Sequence, residues 1–141
     1  MNENDLFKRN IGTFQDFNRD KLKYKILPQF IEFIQNNRVQ FYYVECLPKH
    51  LENIGCCVFK SFGNYFILLI ESELQKISNK TKTPINFVAN IAIIHEISHI
   101  VSDAIGKFDD EQYVWNLGET MIKNASIPQY CYEKVRKYLS K

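Results

Sequence analysis

The segment 85–105 constrains the fold more than any other part of this chain, because a helix there would be apolar on nearly every side. A helix of this kind belongs in a protein core. Two histidines and one glutamate interrupt the apolar residues, and burying their polar groups without partners would be costly. The apolar positions of the segment are Phe87, Val88, Ala89, Ile91, Ala92, Ile93, Ile94, Ile97, Ile100, Val101 and Ala104.

The interrupting residues form the run His95-Glu96-Ile97-Ser98-His99. Histidines four apart lie one turn apart on the same helix face, so their imidazoles can converge on one metal ion. The glutamate between them is placed to act on a water held by that ion. This HExxH pattern is the signature of zinc peptidases, so we predict that His95 and His99 bind Zn²⁺ and that Glu96 is the general base. The alternative is that both histidines donate to backbone carbonyls and Glu96 reaches solvent.

The third protein ligand that a catalytic zinc ion usually has must come from elsewhere. Ser102 and Ile105 stand where the extended pattern HExxHxxGxxH requires glycine and histidine, which excludes the metzincins. The next predicted helix, 109–124, has an apolar stripe, and Asp110 and Glu111 bracket that stripe. The stripe consists of Val114, Leu117, Met121 and Ala125.

We predict Glu111 as the third ligand, because the longer side chain of glutamate reaches farther. Asp110 and Glu119 are the alternatives on the same helix. Asp109 is expected to be the N-cap with Gln112 at N3, and acids in a first turn also suit the helix dipole without any metal.

Three other features bear on the site. Gly118 would allow the next helix to approach the motif helix closely, and Asp103 fits a supporting role behind the ligands better than coordination. Cys57, beside Cys56 on a candidate strand, is an alternative third ligand from an earlier part of the chain. A site with a cysteine and two histidines resembles that of peptide deformylase. His50 is expected to lie at the surface.

The whole chain is predicted to be one domain, 1–141, because its length suffices for a hydrophobic core. A net charge of +2 without a basic, aromatic-rich stripe argues against a nucleic-acid partner. The start lacks the apolar region of a signal peptide, and no uninterrupted apolar stretch is long enough to span a membrane. Four cysteines without a CxxC motif then favour a reducing cytoplasm.

Hydrophobic periodicity predicts an α+β fold: an N-terminal helix, a small three-stranded sheet, the motif helix and C-terminal helices. Pro28 should divide or kink the first helix, a helical turn is expected at 48–53, and Gly106 should follow the motif helix. Helices are predicted at 20–36, 72–78, 85–105, 109–124 and 128–139, and strands at 39–47, 55–60 and 65–71, the last two forming a hairpin.

Over residues 40–125 the chain resembles the minimal gluzincin-like peptidases, particularly the ImmA/IrrE group. The resemblance rests on the HExxH run, the preceding hairpin and the acidic residue that opens the following helix. Glu111, Val114 and Gly118 occupy places comparable to the ligand and small residues of that group. The resemblance implies a zincin-like fold.

The function predicted from these residues is zinc-dependent hydrolysis of a peptide or protein substrate. The substrate would lie along an edge strand, for which 65–70 is a candidate, and Tyr113, Tyr130 and Tyr132 are candidate oxyanion donors. A regulatory protein partner is conceivable. The alternatives are a regulatory or binding module without turnover on the same scaffold, and a deformylase-like metal-dependent amide hydrolase.

Overall fold

The computed structural model of the protein describes residues 24–46, 55–61 and 63–140. That part of the chain is α+β with a small three-stranded sheet, which confirms the predicted class. Its elements, in order, are α1 (Pro28–Asn36), β1 (Gln40–Val44), β2 (Cys57–Ser61), β3 (Asn64–Ile70), α2 (Glu71–Thr81), α3 (Ile85–Asp103), α4 (Glu111–Ile122) and α5 (Gln129–Leu139).

The sheet has the order β1-β3-β2, with β3 parallel to β1 and antiparallel to β2. The predicted hairpin is confirmed, and Gly63 in its turn has a φ of +79°, which glycine adopts without strain. The prediction that 65–70 is an edge strand is wrong, because β3 pairs on both sides. Its residues 66–70 are all buried, and such a continuous apolar run is typical of a central strand covered on both faces.

Helix α3 lies at the centre of the fold and contacts α2, α4, α5 and the sheet. By length and composition it could cross a membrane, but 78% of its most apolar window is buried inside the protein. This burial is what the core helix of a soluble domain requires, since a helix that is hydrophobic all round needs cover on every side.

Residues 24–27 of the predicted helix are not helical, and the first described helix begins at Pro28. Proline suits the first turn of a helix, where its missing N–H costs nothing. The side chain of Asn90 on α3 holds the preceding segment extended, accepting from the Leu27 N–H at 2.9 Å and donating to the Lys25 carbonyl at 2.8 Å. The predicted residues 20–23, the predicted turn at 48–53 and His50 lie outside the described residues.

Helix α4 begins one residue later than the predicted cap implies. Asp110, not Asp109, is the N-cap, and its Oδ1 accepts from the Tyr113 N–H at 3.0 Å. The prediction of Asp109 with Gln112 at N3 is therefore wrong. The buried residues of the helix are also rotated from the predicted stripe, and they are Val114, Trp115, Gly118 and Ile122.

The predicted close approach at Gly118 is present. A β-carbon at this position would lie 3.1 Å from Cγ2 of Ile94 and 3.3 Å from Oγ of Ser98, both on α3, and would collide with the hydroxyl of Tyr132. Because α4 has no side chain here, its backbone packs directly against α3. This contact brings the start of α4 back towards the motif helix.

Candidate metal centre

Three side chains from two helices meet at one point. Nε2 of His95 and Nε2 of His99 are 3.2 Å apart on α3. Glu111, the first residue of α4, places Oε2 3.2 Å from Nε2 of His95 and Oε1 3.0 Å from Nε2 of His99. One carboxylate therefore faces both imidazole nitrogens, as expected for ligands that share a metal ion.

The orientation of His99 is fixed by the turn that connects α3 to α4. Its Nδ1 lies 2.5 Å from the carbonyl oxygen of Phe108. A carbonyl oxygen can only accept, so Nδ1 carries the proton and Nε2 presents a lone pair to the site. The predicted alternative of a histidine bonded to a carbonyl thus occurs here, and it leaves the other nitrogen ready to bind a metal.

The imidazole of His95 is stacked on the indole of Trp115, with ring centroids 3.9 Å apart and planes 27° from parallel. Burial lowers the pKa of His95, although the hydrogen bond to the Glu111 carboxylate opposes the shift. Its Nδ1 is buried without a hydrogen-bond partner among the described residues. A neutral imidazole is the form that binds metal ions.

Glu96 is buried, with only 4% of its surface exposed. The alternative prediction that Glu96 reaches solvent is therefore wrong. Burial raises the pKa of Glu96 to about 8, and the charge of Glu111 adds to the shift. Its Oε2 has no hydrogen-bond partner in the described part of the chain. A buried, unpartnered carboxyl oxygen is costly unless a ligand or water satisfies it.

One nitrogen from each histidine and one oxygen of Glu96 lie within 4.8 Å of one another, a cluster that could hold a metal ion. Two carboxylates therefore border the same point. Glu111 contacts both Nε2 atoms at hydrogen-bond distance, so it is the better candidate for the third ligand, and Glu96 is the better candidate for the proton acceptor. The donor set of two imidazoles and a carboxylate is one that catalytic zinc sites use.

The other acidic candidates for the third ligand are occupied elsewhere. Asp110 caps α4, and its Oδ2 lies 3.6 Å from Nζ of Lys107. Glu119 accepts a 2.6 Å hydrogen bond from the side chain of Gln129. Of the predicted acids on α4, the structure brings only Glu111 to the histidines.

The two cysteines of the β2 segment line the same cavity as the histidines but do not join the cluster. The thiol of Cys56 is engaged with the backbone of Ile70, whose N–H lies 3.2 Å from Sγ. Burial raises the pKa of the Cys56 thiol, which disfavours the thiolate that a metal requires. Cys57 lines the cavity but is not in the group of residues whose ligand atoms could hold a metal ion, so this arrangement does not support it as the third ligand.

Asp103 supports the site by a different route from the one predicted. It does not contact the histidines; its carboxylate binds Nζ of Lys60 at 3.0 Å and the hydroxyl of Tyr65 at 2.5 Å. The ring of Tyr65 stacks on that of Phe108 at 6.3 Å. The hairpin, the end of α3 and the turn that orients His99 are thereby connected.

None of the three tyrosines proposed as oxyanion donors is among the described residues that line the cavity. Tyr132 donates to the carbonyl of Trp115 at 2.6 Å. Tyr130 is 65% exposed, and the ring of Tyr113 lies 5.0 Å from Nζ of Lys107. These side chains have packing and surface roles instead.

Trp115 is the site residue that sequence reasoning missed. It lines the cavity and is 4% exposed. It follows Glu111 by four residues, so both lie on one face of α4. The four-residue spacing from Glu111 could have indicated that Trp115 lies at the site. The predicted apolar stripe did not include Trp115, so this indication was not used.

The cavity over the histidines has a volume of about 600 Å³. Its walls come from the β2 segment, α2, α3, the start of α4 and the end of α5. The chain matches no protein-family model, no curated protein and no solved structure. The resemblance to the ImmA/IrrE group therefore stays a prediction, carried by the residues named above.

Proposed function

We propose that this protein is a zinc-dependent peptidase whose metal is held by His95, His99 and Glu111. The observation that supports this most is the Glu111 carboxylate, which faces both Nε2 atoms at 3.0 and 3.2 Å beside the buried Glu96. When bound, Zn²⁺ would polarise the scissile carbonyl and make the attacking water more acidic.

Glu96 is the proposed general base and acid. Its unpartnered Oε2 accepts a proton from the attacking water and delivers it to the leaving amine as the C–N bond breaks and a C–O bond forms. The reaction consumes one water and needs no further reactant.

The surrounding residues hold these groups in place. The carbonyl of Phe108 keeps the proton of His99 on Nδ1, and the indole of Trp115 covers the ring of His95. We place the substrate along the cavity wall formed by residues 55–58, in place of the predicted β3, which is central in the sheet.

A cytoplasmic location is part of the proposal. All four cysteines, namely Cys46, Cys56, Cys57 and Cys131, are free thiols, as is usual in a reducing compartment.

The experiment compares the wild-type protein with Glu96→Gln and with Glu32→Gln, an exposed glutamate of α1 that serves as a matched control. Zinc content is measured by mass spectrometry, and hydrolysis on a mixture of unmodified and formylated peptides. We expect one zinc ion per chain in all three proteins and a loss of peptide hydrolysis of about 100-fold or more in Glu96→Gln alone.

Three outcomes would overturn the proposal. A wild-type protein without stoichiometric metal would remove its basis. Zinc in all three proteins with no hydrolysis in any would favour a binding module, and release of formate alone would favour a deformylase-like activity.

A further inference from the structure

Glu73 lines the cavity but is not one of the residues whose ligand atoms could hold a metal ion. Glu73 lies on α2, in its first turn, and is half-buried. In the described part of the chain it makes no hydrogen bond or ion pair, although its charge acts on the thiol of Cys56. A half-buried carboxylate that faces a cavity and has no cationic partner is available to a ligand.

Apolar side chains line the same cavity as Glu73. Ile77 lies one turn farther along α2, and Ala92 lies one turn before Glu96 on α3; both are buried. Leu139, at the end of α5, is 42% exposed and lines the same cavity. Glu73 and Glu96 both line this cavity, so the two side chains border one space.

The charges around the cavity are of one sign. Its acidic lining residues are Glu73, Glu96, Asp109 and Glu111, and the described lining includes no lysine or arginine. In the proposed site, the carboxylates of Glu96 and Glu111 are used by the proton transfer and the metal. Glu73 remains as an uncompensated negative charge in the lining of the cavity.

We propose that Glu73, Ile77, Ala92 and Leu139 form a specificity pocket that binds a lysine or arginine side chain of the peptide substrate. This inference rests on the proposed peptidase function. The aliphatic part of the side chain packs on Ile77, Ala92 and Leu139, and its cationic end binds the Glu73 carboxylate. Long cationic side chains suit such a pocket because their stems are apolar and their ends are charged.

The test uses two peptides that differ only in one residue, lysine in the first and its uncharged isostere norleucine in the second, scanned through the positions on each side of the cleaved bond. Zinc-loaded wild-type protein should prefer the lysine peptide at one position by about tenfold in kcat/KM, mainly through KM, because one charge-assisted hydrogen bond is gained. Glu73→Gln should cleave both peptides at similar rates.

The sign of the charge provides a second criterion. Glu73→Lys should prefer a glutamate peptide over the lysine peptide, whereas the control Glu32→Gln should keep the wild-type preference. A wild-type protein that cleaves lysine and norleucine peptides equally at every position overturns the inference. A preference that survives in Glu73→Gln also overturns it.

A binding measurement separates this inference from the proposed function. The same peptides are titrated into zinc-loaded Glu96→Gln protein, and binding is followed by calorimetry. Tighter binding of the lysine peptide, abolished by adding Glu73→Gln, supports the pocket even if the wild-type protein hydrolyses nothing. Equal binding of both peptides overturns the pocket even if the protein proves to be a peptidase.

Discussion

The carbonyl oxygen of Phe108 accepts a hydrogen bond from Nδ1 of His99 at 2.5 Å, so a backbone atom outside the motif helix orients one of the two histidines. Phe108 lies in the connection between α3 and α4, three residues before Glu111. The same short connection therefore orients one candidate ligand and carries another. A substitution in this connection should therefore weaken metal binding at the proposed site before it destabilises the core.

Removing the Glu111 carboxylate should weaken zinc binding more than any other change on α4. Loss of a supporting residue around a metal typically reduces affinity 10- to 100-fold, so we expect Glu111→Ala to exceed about 100-fold. Competition with a chelator of known affinity would measure this. The control is Asp110→Asn, which keeps a good N-cap and should retain wild-type affinity. Equal affinity in wild type and Glu111→Ala would exclude Glu111 as the third ligand.

Trp115 should report metal binding by its fluorescence. It is the chain's single tryptophan, and its ring lies 3.9 Å from that of His95. Zinc titrated into the metal-free protein should change the emission and saturate at one equivalent. The change should be lost in His95→Ala. An emission that does not respond to zinc, in a protein shown by mass spectrometry to have bound it, would contradict the stacking.

Asp103→Asn should lower zinc affinity by about tenfold, because it weakens the contacts of Lys60 and Tyr65 that support Phe108. The control is Glu32→Gln, since Glu32 is an exposed carboxylate on α1 and is not in the cavity lining. If zinc affinity is the same in Asp103→Asn and in the wild type, the hairpin does not support the site.

The same substitution predicts a pH dependence of stability. The hydrogen bonds from Tyr65 and Lys60 lower the pKa of Asp103 below its ordinary 3.8. The carboxylate therefore stabilises the fold above that pH, and the contribution is lost as pH falls through the lowered pKa. Urea unfolding should show wild type more stable than Asp103→Asn at pH 7, by ~1 kcal/mol or less for a pair near the surface. The difference should disappear once the pH lies below the lowered pKa of Asp103.

Gly118→Ala should destabilise the protein by about 1–3 kcal/mol, because the added methyl group overpacks the contact between α3 and α4. The hydroxyl of Tyr132 cannot move aside easily, since it donates to the carbonyl of Trp115 at 2.6 Å. Adding Tyr132→Phe should therefore recover part of the loss. Urea unfolding of the two single variants and the double variant would measure the coupling. Strictly additive effects would mean that the two groups do not collide.

The parts of the site that follow from local periodicity could be predicted from the sequence. The spacing of His95 and His99 places both on one helix face. The position of Glu111 in the first turn of the next helix could also be predicted from the local sequence. The burial of Trp115 could not be predicted, because in the sequence the helix face that carries Leu117 and Met121 is as apolar as the face that carries Trp115. A shift of one residue in a helix turns the face by about 100°, and only the packing against α3 resolves it.

The elements of the fold were predicted better than their arrangement. The hairpin of β2 and β3 could be identified from its turn residues, but the parallel pairing of β1 with β3 joins residues such as Gln40 and Phe66. Such a pairing depends on non-local contacts, which have no period in the sequence. The edge position assigned to 65–70 was wrong for this reason.

The contact at Gly118 has a mechanical consequence for the proposed metal site. Glu111 precedes it by seven residues, about 10 Å along the helix axis, so a 10° tilt of α4 about this point would displace the carboxylate by about 2 Å. Metal ions differ in their preferred bond lengths by only tenths of an ångström. In the proposed site, the angle at which the two helices cross would then determine which ion this carboxylate shares with the histidines.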